Sequence, residues 1–405
     1  MLNNLDPTGI IDLGSYQIKF IIFSINNSEI KILSRSILKT EGVKRGIVTD
    51  LDKLSNVIKK IVSNAEEEAK LQIQKIYLSP SPLNIFSTSY CYSKNIGGYE
   101  IEDQKDVQFL INSGVNLFRE LNDKCNIIHL FNLNFQTDKI NLIDNPIGLV
   151  ADSLESYMHL IFCKKNFIKN LQKLILKTYL KLERIIYAPY ALGLLGHLES
   201  QLSDSIMILD FGHEKTSISI FKNDKFIFSA TVPLGSWHIT NDISKSLNLN
   251  LEIAEYLKKT HSYCDESDKN LTYEYIDSDN FGSKLFKKVS NNILNKIVNS
   301  RTEEIIDFIN KELFFFKVNE KFFNKILITG EGSKIKGFES LLKKKLAPQS
   351  LKVEKFSSKL KSNLPDNYDV CLSVINLLHK SYKMEVRGIF NTKKNFFEKF
   401  FSLFD

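Results

Sequence analysis

Gly9-Ile10-Ile11-Asp12-Leu13-Gly14-Ser15 runs directly into Ile18-Lys19-Phe20-Ile21-Ile22-Phe23. Two apolar runs hinged on a glycine turn read as a pair of antiparallel strands. About two hundred residues later the same unit returns, as Ser205-Ile206-Met207-Ile208-Leu209-Asp210-Phe211-Gly212 followed by Thr216-Ser217-Ile218-Ser219-Ile220-Phe221. A strand, an Asp-x-Gly turn and a returning strand thus open each half of the chain. A third glycine turn, Thr329-Gly330-Glu331-Gly332-Ser333, closes the strand-like Phe323-Lys325-Ile326-Leu327-Ile328. An Asp-x-Gly turn suits a nucleotide phosphate. Glycine lets backbone N–H groups approach the oxygens, and the carboxylate can hold Mg²⁺ through its water shell. One such turn is an ordinary hairpin signal; two in equivalent places, with a third glycine loop behind them, predict a duplicated α/β fold around a nucleotide cleft.

Between these units the pattern alternates. Leu54, Ile58, Ile61, Val62 and Ala65 predict one face of a helix over 51–71, followed by a strand at Lys75–Leu78. Residues 85–163 read as a small α/β insert, with a strand near 85–91, a helix over about 103–121 and strands near 127–135 and 158–162. A helix at 166–180 and a strand at 183–187 come next. The stretch 243–317 is mostly helical and polar. Helices at 338–345 and 368–378 close the core.

The 405 residues are 43% hydrophobic and 25% charged, which excludes a disordered or collagen-like chain. Basic residues exceed acidic ones by only +7 and are spread along the sequence, so no nucleic-acid partner is expected. Five scattered cysteines make neither a zinc motif nor a disulfide framework. Met1 to Asp6 has no charged start or apolar run, so no signal peptide is expected. The most apolar internal stretch, 185–198, is too short to span a bilayer and is broken by Pro189 and His197. A cytoplasmic location follows as the expectation, with any membrane attachment made from that side.

These motifs resemble the actin/Hsp70/sugar-kinase superfamily and, more closely, the bacterial FtsA family of cell-division proteins. Gly42-Val43-Lys44-Arg45-Gly46-Ile47-Val48-Thr49-Asp50, Asn145-Pro146-Ile147-Gly148-Leu149 and Val232-Pro233-Leu234-Gly235-Ser236-Trp237-His238-Ile239-Thr240-Asn241-Asp242-Ile243 carry the closer likeness, with Leu251 to Lys258 after them. The resemblance implies two βββαβα (ribonuclease H-like) halves. One is a first subdomain from 5–84 and 164–195, to which a C-terminal helix over 366–378 returns; the other is a second subdomain from 196–243 and 318–365. It also implies an inserted subdomain at 85–163 and a helical one at 244–317. A linker at 379–390 would lead to an amphipathic membrane helix at 391–405.

The cofactors it implies are ATP and Mg²⁺. By resemblance, Asp12, Gly14, Ser15 and Lys19 form the first phosphate loop. Asp210, Gly212, Lys215 and Thr216 form the second, with Gly235 approaching the phosphates beside it. Glu255 and Lys258 hold the ribose, and Gly330, Glu331, Gly332 and Ser333 pack on the adenosine. Asp12 and Asp210 would bind Mg²⁺ through water. Glu255 and Lys258 also read as an ordinary i, i+3 surface pair. The second loop departs from the glycine-threonine run usual in the family. It reads His213-Glu214-Lys215, where bulky side chains replace glycine and Lys215 can offset Glu214. Ala188 stands where hydrolytic relatives carry a carboxylate or amide, so weak or no hydrolysis and no catalytic residue are expected.

The function this implies is a cell-division adaptor. It binds ATP, polymerises, and anchors the FtsZ ring to the cytoplasmic face of the inner membrane at the septum. The FtsZ C-terminal tail would dock on 244–317 near Arg301 and Glu304, and later divisome proteins on 85–163. The alternatives are an ATP-hydrolysing or phosphotransferring enzyme of the superfamily, and a type IV pilus assembly protein. A helical projection of the tail supports the adaptor. Phe396, Phe397, Phe400, Phe401, Leu403 and Phe404 fill one arc, Asn395, Glu398, Lys399, Ser402 and Asp405 the other, and Lys393 and Lys394 precede them within reach of headgroups. Such a segment would lie in the membrane interface plane.

Overall fold

The computed structural model describes residues 5–44, 46–80, 83–200, 205–264, 275–277, 288–316, 318, 322–346, 351–356, 368–380 and 385–386. The chain begins with β1 (Leu5–Leu13), β2 (Gln17–Asn26) and β3 (Glu29–Lys39), continues through the small hairpin β4 (Val43–Lys44) and β5 (Ile47–Val48), and enters α1 (Leu51–Ala69) and β6 (Lys75–Pro80). Asp50 caps α1 by accepting from the N–H groups of Asp52 and Lys53 at 3.1 and 3.0 Å. The face foreseen from its spacing, Leu54, Ile58, Ile61, Val62 and Ala65, is buried against the sheet.

The insert follows as β7 (Ile85–Glu100), α2 (Phe109–Leu121), β8 (Cys125–Thr137), β9 (Asn141–Ile143) and β10 (Val150–Lys164). Its antiparallel sheet runs β7-β10-β8-β9 around a core of its own. Strand β7 continues well past the expected 85–91. Along it half-buried and exposed residues alternate, so its second part carries no apolar run to read.

Next come α3 (Lys165–Leu176), β11 (Lys181–Ile185) and α4 (Ala188–Glu199), then β12 (Ile206–Phe211), β13 (Thr216–Lys222) and β14 (Lys225–Val232). The chain then forms α5 (Ser236–Leu247), α6 (Leu251–Thr260), a small pair β15 (Tyr275–Asp277) and β16 (Lys288–Ser290), and α7 (Asn291–Phe315). It closes with β17 (Lys325–Thr329), α8 (Phe338–Leu346), β18 (Lys352–Lys355) and α9 (Asp369–Lys380).

The duplication is visible in the sheets. One has the order β11-β6-β1-β2-β3 and the other β18-β17-β12-β13-β14. In each, the strand that ends in Asp-x-Gly pairs antiparallel with its successor and parallel with a strand reached by a crossover. Helix α4, almost wholly buried, packs against β12, β13 and α9, and joins the two halves behind the loops. The sequence reading named no helix here and took Pro189 only as a break in an apolar stretch too short to span a bilayer. It sits instead in the first turn, where its missing N–H costs nothing. Among the described residues no helix is long and apolar enough to cross a membrane. The expected membrane helix at 391–405 lies outside the described residues.

The expected linker at 379–390 needs correction in two places. Helix α9 runs on to Lys380. Glu385 and Val386 are docked rather than free: Val386 N–H donates to Leu130 O at 2.9 Å, and the Glu385 carboxylate is buried. It accepts from His129 Nδ1 at 2.7 Å, from the Arg184 guanidinium and from Tyr190 Oη. His129 Nε2 in turn accepts from the Tyr187 N–H, which fixes the tautomer. A charged side chain could not stay in this seam between the insert and the first half without such partners.

Removing one partner of a buried ion pair strands the other, at a cost of about 3–5 kcal/mol. Glu385→Ala is therefore expected to lower the unfolding free energy by about that amount in urea denaturation. A loss below about 1 kcal/mol would mean that the seam is held by apolar packing alone.

Candidate functional site

Three loops converge on one cleft between the halves, with a volume of 730 Å³. Its floor begins with cross-strand geometry. Asp12 and Lys19 are directly opposed on β1 and β2, and their side chains meet at 3.5 Å. In the second half, Asp210 is the last residue but one of β12, and the turn Gly212–Lys215 is closed by the Gly212 N–H donating to Lys215 O at 3.0 Å. That turn aims the Lys215 side chain into the wall of the cleft, where the residue is 6% exposed. Burial pushes the Asp210 carboxyl up to about 6, against the pull of the Lys215 ammonium, and pushes Lys215 down to about 8, against Asp210 and Asp12. Burial also raises Asp12, partly offset by Lys19.

The sequence placed Asp12, Gly14, Ser15, Lys19, Asp210, Gly212, Lys215, Glu255, Gly330, Glu331 and Ser333 in the site, and all of them line this cleft. Gly330 takes φ +87°, and a Cβ there would lie 2.5 Å from Phe211 O and 2.6 Å from Asp210 Oδ1. Ser333 hydroxyl closes the third loop on Gly330 O at 2.7 Å.

Four named residues stand behind the lining instead. Thr216 is buried and donates to Leu234 O at 2.9 Å. Gly332 packs on the Phe211 ring. Gly235 does not approach the cleft; a Cβ on it would lie 2.5 Å from His213 O and from Lys215 N, so its role is to let α5 close on the second loop. Lys258 is 3% exposed and braces Glu255 from below at 2.7 Å while donating to Thr240 Oγ1 at 2.8 Å and Ser236 O at 3.1 Å. Burial would raise Glu255; the Lys258 ammonium and the Thr240 hydroxyl hold it down at about 2, so it faces the cleft ionised.

The sequence reading missed an aromatic contact across the cleft. Tyr16 of the first loop packs on His213 of the second with ring centroids 4.6 Å apart, and Lys259 lies over Tyr16 at 5.8 Å. His213 was noted only as a bulky departure from glycine. Its partner lies in the other half of the chain, where spacing gives no signal. The N–H groups of Ser236 and Trp237 at the start of α5 donate to Gly212 O and His213 O, so this helix end is capped by the loop itself.

Asp12 and Asp210, the carboxylates expected to hold Mg²⁺ through water, share this floor with Lys19 and Lys215. Each carboxylate already has a lysine as its compensating charge. Among the described residues no group of three or more His, Cys, Asp or Glu side chains is placed to hold a metal ion.

Comparison with known proteins follows the same geometry. The family model "Cell division protein FtsA" matches residues 207–364, and "SHS2 domain inserted in FTSA" matches 85–162. The insert and the half carrying the second and third loops are therefore both matched by models of one family. Over these two stretches the chain is similar to the FtsA family. A model of the type IV pilus assembly protein PilM also matches, over 133–278. The cell division protein FtsA of Rhizobium meliloti (strain 1021) is 30% identical over 223 residues, which span 55% of this chain and 50% of that relative. The chain thus aligns with about half the length of the curated relatives it matches. Among solved structures, the PilM-PilN type IV pilus biogenesis complex has a TM-score of 0.64 at 16% identity, covering 91% of this chain and 97% of that one. MreB5 of Spiroplasma citri bound to ADP has a TM-score of 0.53 at 12% identity, covering 92% and 95%. At these identities the structures establish the actin-like fold.

Burial lowers the His213 imidazole to about 4, helped by the Lys258 ammonium. The folded state thus holds fewer protons than the unfolded one between that value and about 6.5. The stability linked to His213 is present above about pH 6.5 and is lost as pH falls towards about 4, by at most about 3 kcal/mol. His213→Gln should make the unfolding free energy less sensitive to acid across this window in urea titrations; an unchanged pH dependence would mean that the ring charges freely in the fold.

Proposed function

We propose that this chain is a cell-division adaptor of the actin-like class that binds ATP in the cleft between its halves. It associates head to tail into filaments and holds the FtsZ ring to the cytoplasmic face of the inner membrane. The observation that carries the reading is the convergence of three sequence-distant glycine loops on one polar cleft of nucleotide size. The first and second loops would flank the phosphates, Glu255 would receive the ribose hydroxyls, and the third loop would pack on the base. Head-to-tail contact of identical protomers is heterologous and leaves open filaments. The insert 85–163 would serve later divisome proteins, and 244–317 the FtsZ tail. There Arg301 is already bound by Asp242 at 2.5 Å and by Glu304, so an acidic partner has to compete with both. Phe396 to Phe404 would bind lipid with Lys393, Lys394 and Lys399 beside them. Six large apolar side chains, each stabilising by about 1.5–3 kcal/mol when buried, supply the membrane affinity.

Hydrolysis is expected to be weak or absent. Ala188, at the position where hydrolytic relatives orient water, is 1% exposed and outside the cleft lining. The likeness to PilM keeps a pilus-assembly adaptor as the second reading. The match of 85–162 to the FtsA-specific insert and the phenylalanine-rich tail favour the first.

Two measurements test the proposal. ATP at about a hundred times its dissociation constant should stabilise the protein by about 2.7 kcal/mol. Gly330→Val should abolish that thermal shift while keeping a cooperative melt; no shift of the wild type at millimolar ATP would remove nucleotide from the account. Phe400→Glu should release the chain from phosphatidylglycerol-containing liposomes, together with any bound FtsZ tail peptide, without changing its melting temperature. Continued sedimentation would contradict membrane attachment through the tail.

A further inference from the structure

Helix α3 turns Phe167, Ile168, Leu171, Leu174 and Ile175 into the core and carries no acidic residue. Its outer side is one stripe: Lys165, Lys169, Lys173 and, just past the helix, Lys177 follow one another at i, i+4, and all four are exposed. The neighbouring α1 has an ordinary mixed solvent face, with Asp52, Glu67 and Glu68 among Lys53, Lys59 and Lys60. A stripe of one sign works against the fold twice. Like charges four residues apart repel along a helix, and Lys165 opens the helix at the end where the macrodipole disfavours a cation. The acids nearby do not neutralise the row. Asp52 holds Lys177 at 2.6 Å, Asp50 faces Lys53 at 3.9 Å, and Glu183 of β11 faces Lys181 at 3.5 Å. Asp123 is followed by Lys124, whose carbonyl accepts from the Lys165 N–H at 2.9 Å. Among the described residues no carboxylate pairs with Lys165, Lys169 or Lys173.

At the far end of the stripe the surface turns apolar. Leu176 is 57% and Tyr179 91% exposed. Tyr179 takes φ +62°, a left-handed conformation unusual for a bulky residue, and Lys59 lies over its ring at 5.2 Å. A straight basic row about 18 Å long, ending in an exposed tyrosine, fits a flat anionic surface. The ammonium groups meet phosphates on flexible stems, and the phenol ring settles at the level of the headgroups. The tail leaves beside the same strands. Helix α3 packs on β8, β10 and β11, while the Val386 N–H donates to Leu130 O of β8 and Glu385 accepts from Arg184 of β11. Ten residues lead from Val386 to Phe396. They span at most about 35 Å, enough for the phenylalanines and the stripe to meet one plane. We propose that this stripe, with Leu176 and Tyr179 at its end, is a second membrane contact that takes anionic lipid headgroups. This rests on the membrane reading above and adds the lipid class. Each lysine near an anionic surface adds attraction, and stable attachment takes two signals, here an apolar tail and a polybasic patch.

Co-sedimentation of the full chain with phosphatidylcholine vesicles, with and without phosphatidylglycerol, tests this. The wild type should bind the phosphatidylglycerol vesicles more tightly. Lys165→Gln/Lys169→Gln/Lys173→Gln should weaken that binding at least about tenfold and leave binding to phosphatidylcholine alone unchanged. These side chains are exposed, so the melting temperature should hold; should the triple variant melt early, Lys169→Gln alone, expected to lose at least about threefold, decides. A smaller weakening overturns the proposal. So does an equal loss from Lys343→Gln/Lys344→Gln/Lys345→Gln, which removes the same charge from α8. Equal binding of the wild type to both vesicles overturns it as well and leaves the tail reading intact. Phe400→Glu should lose binding to both vesicles; full binding to the phosphatidylglycerol vesicles would overturn the tail reading and leave the stripe. Wild type that binds neither vesicle overturns both.

Discussion

A carboxylate taken out of water has to find a cation or give up its charge, and the cleft of this protein is built around that constraint. Asp12 is the last residue but one of β1, whose final six residues are buried, and Asp210 holds the same place in β12 of the other half. The duplicated topology brings them to the same floor, where the Asp12 charge raises the Asp210 pKa. Lys19 answers the first from the adjacent strand; Lys215 answers the second from the turn that follows it. Loop closure, the position of α5 and the contact between Tyr16 and His213 all depend on this arrangement. A tight Gly212–Lys215 turn is what points the ammonium inward and leaves His213 facing the opposite loop.

The same economy recurs at the seam between insert and core. Glu385 reaches a buried site near the end of the described chain, where His129, Arg184 and Tyr190 converge on it. These residues belong to the insert, to β11 and to α4. One carboxylate therefore ties three parts of the fold to the strand of chain that leads towards the tail.

Much of this was legible in the sequence, and the limits have physical causes. The duplicated strand–turn–strand unit could be read because both faces of its strands are covered, giving continuous apolar runs around an Asp-x-Gly turn. The helical face of α1 could be read from its period. Which side of a loop a residue faces could not: Thr216, Gly235, Lys258 and Gly332 share the motifs yet stand behind the wall, because a one-residue change in a turn reverses direction. Helix α4 was obscured by uniform apolarity, and the Tyr16–His213 contact by a separation of almost half the chain. Glu385 sits in a polar stretch whose burial depends on partners far away in sequence.

Amide hydrogen exchange, followed with and without ATP, tests the central claim most directly. Residues 12–16, 212–216 and 330–334 come from three distant parts of the chain and share one cleft. Nucleotide held between the halves should slow exchange in all three segments together. Protection confined to one half would contradict it.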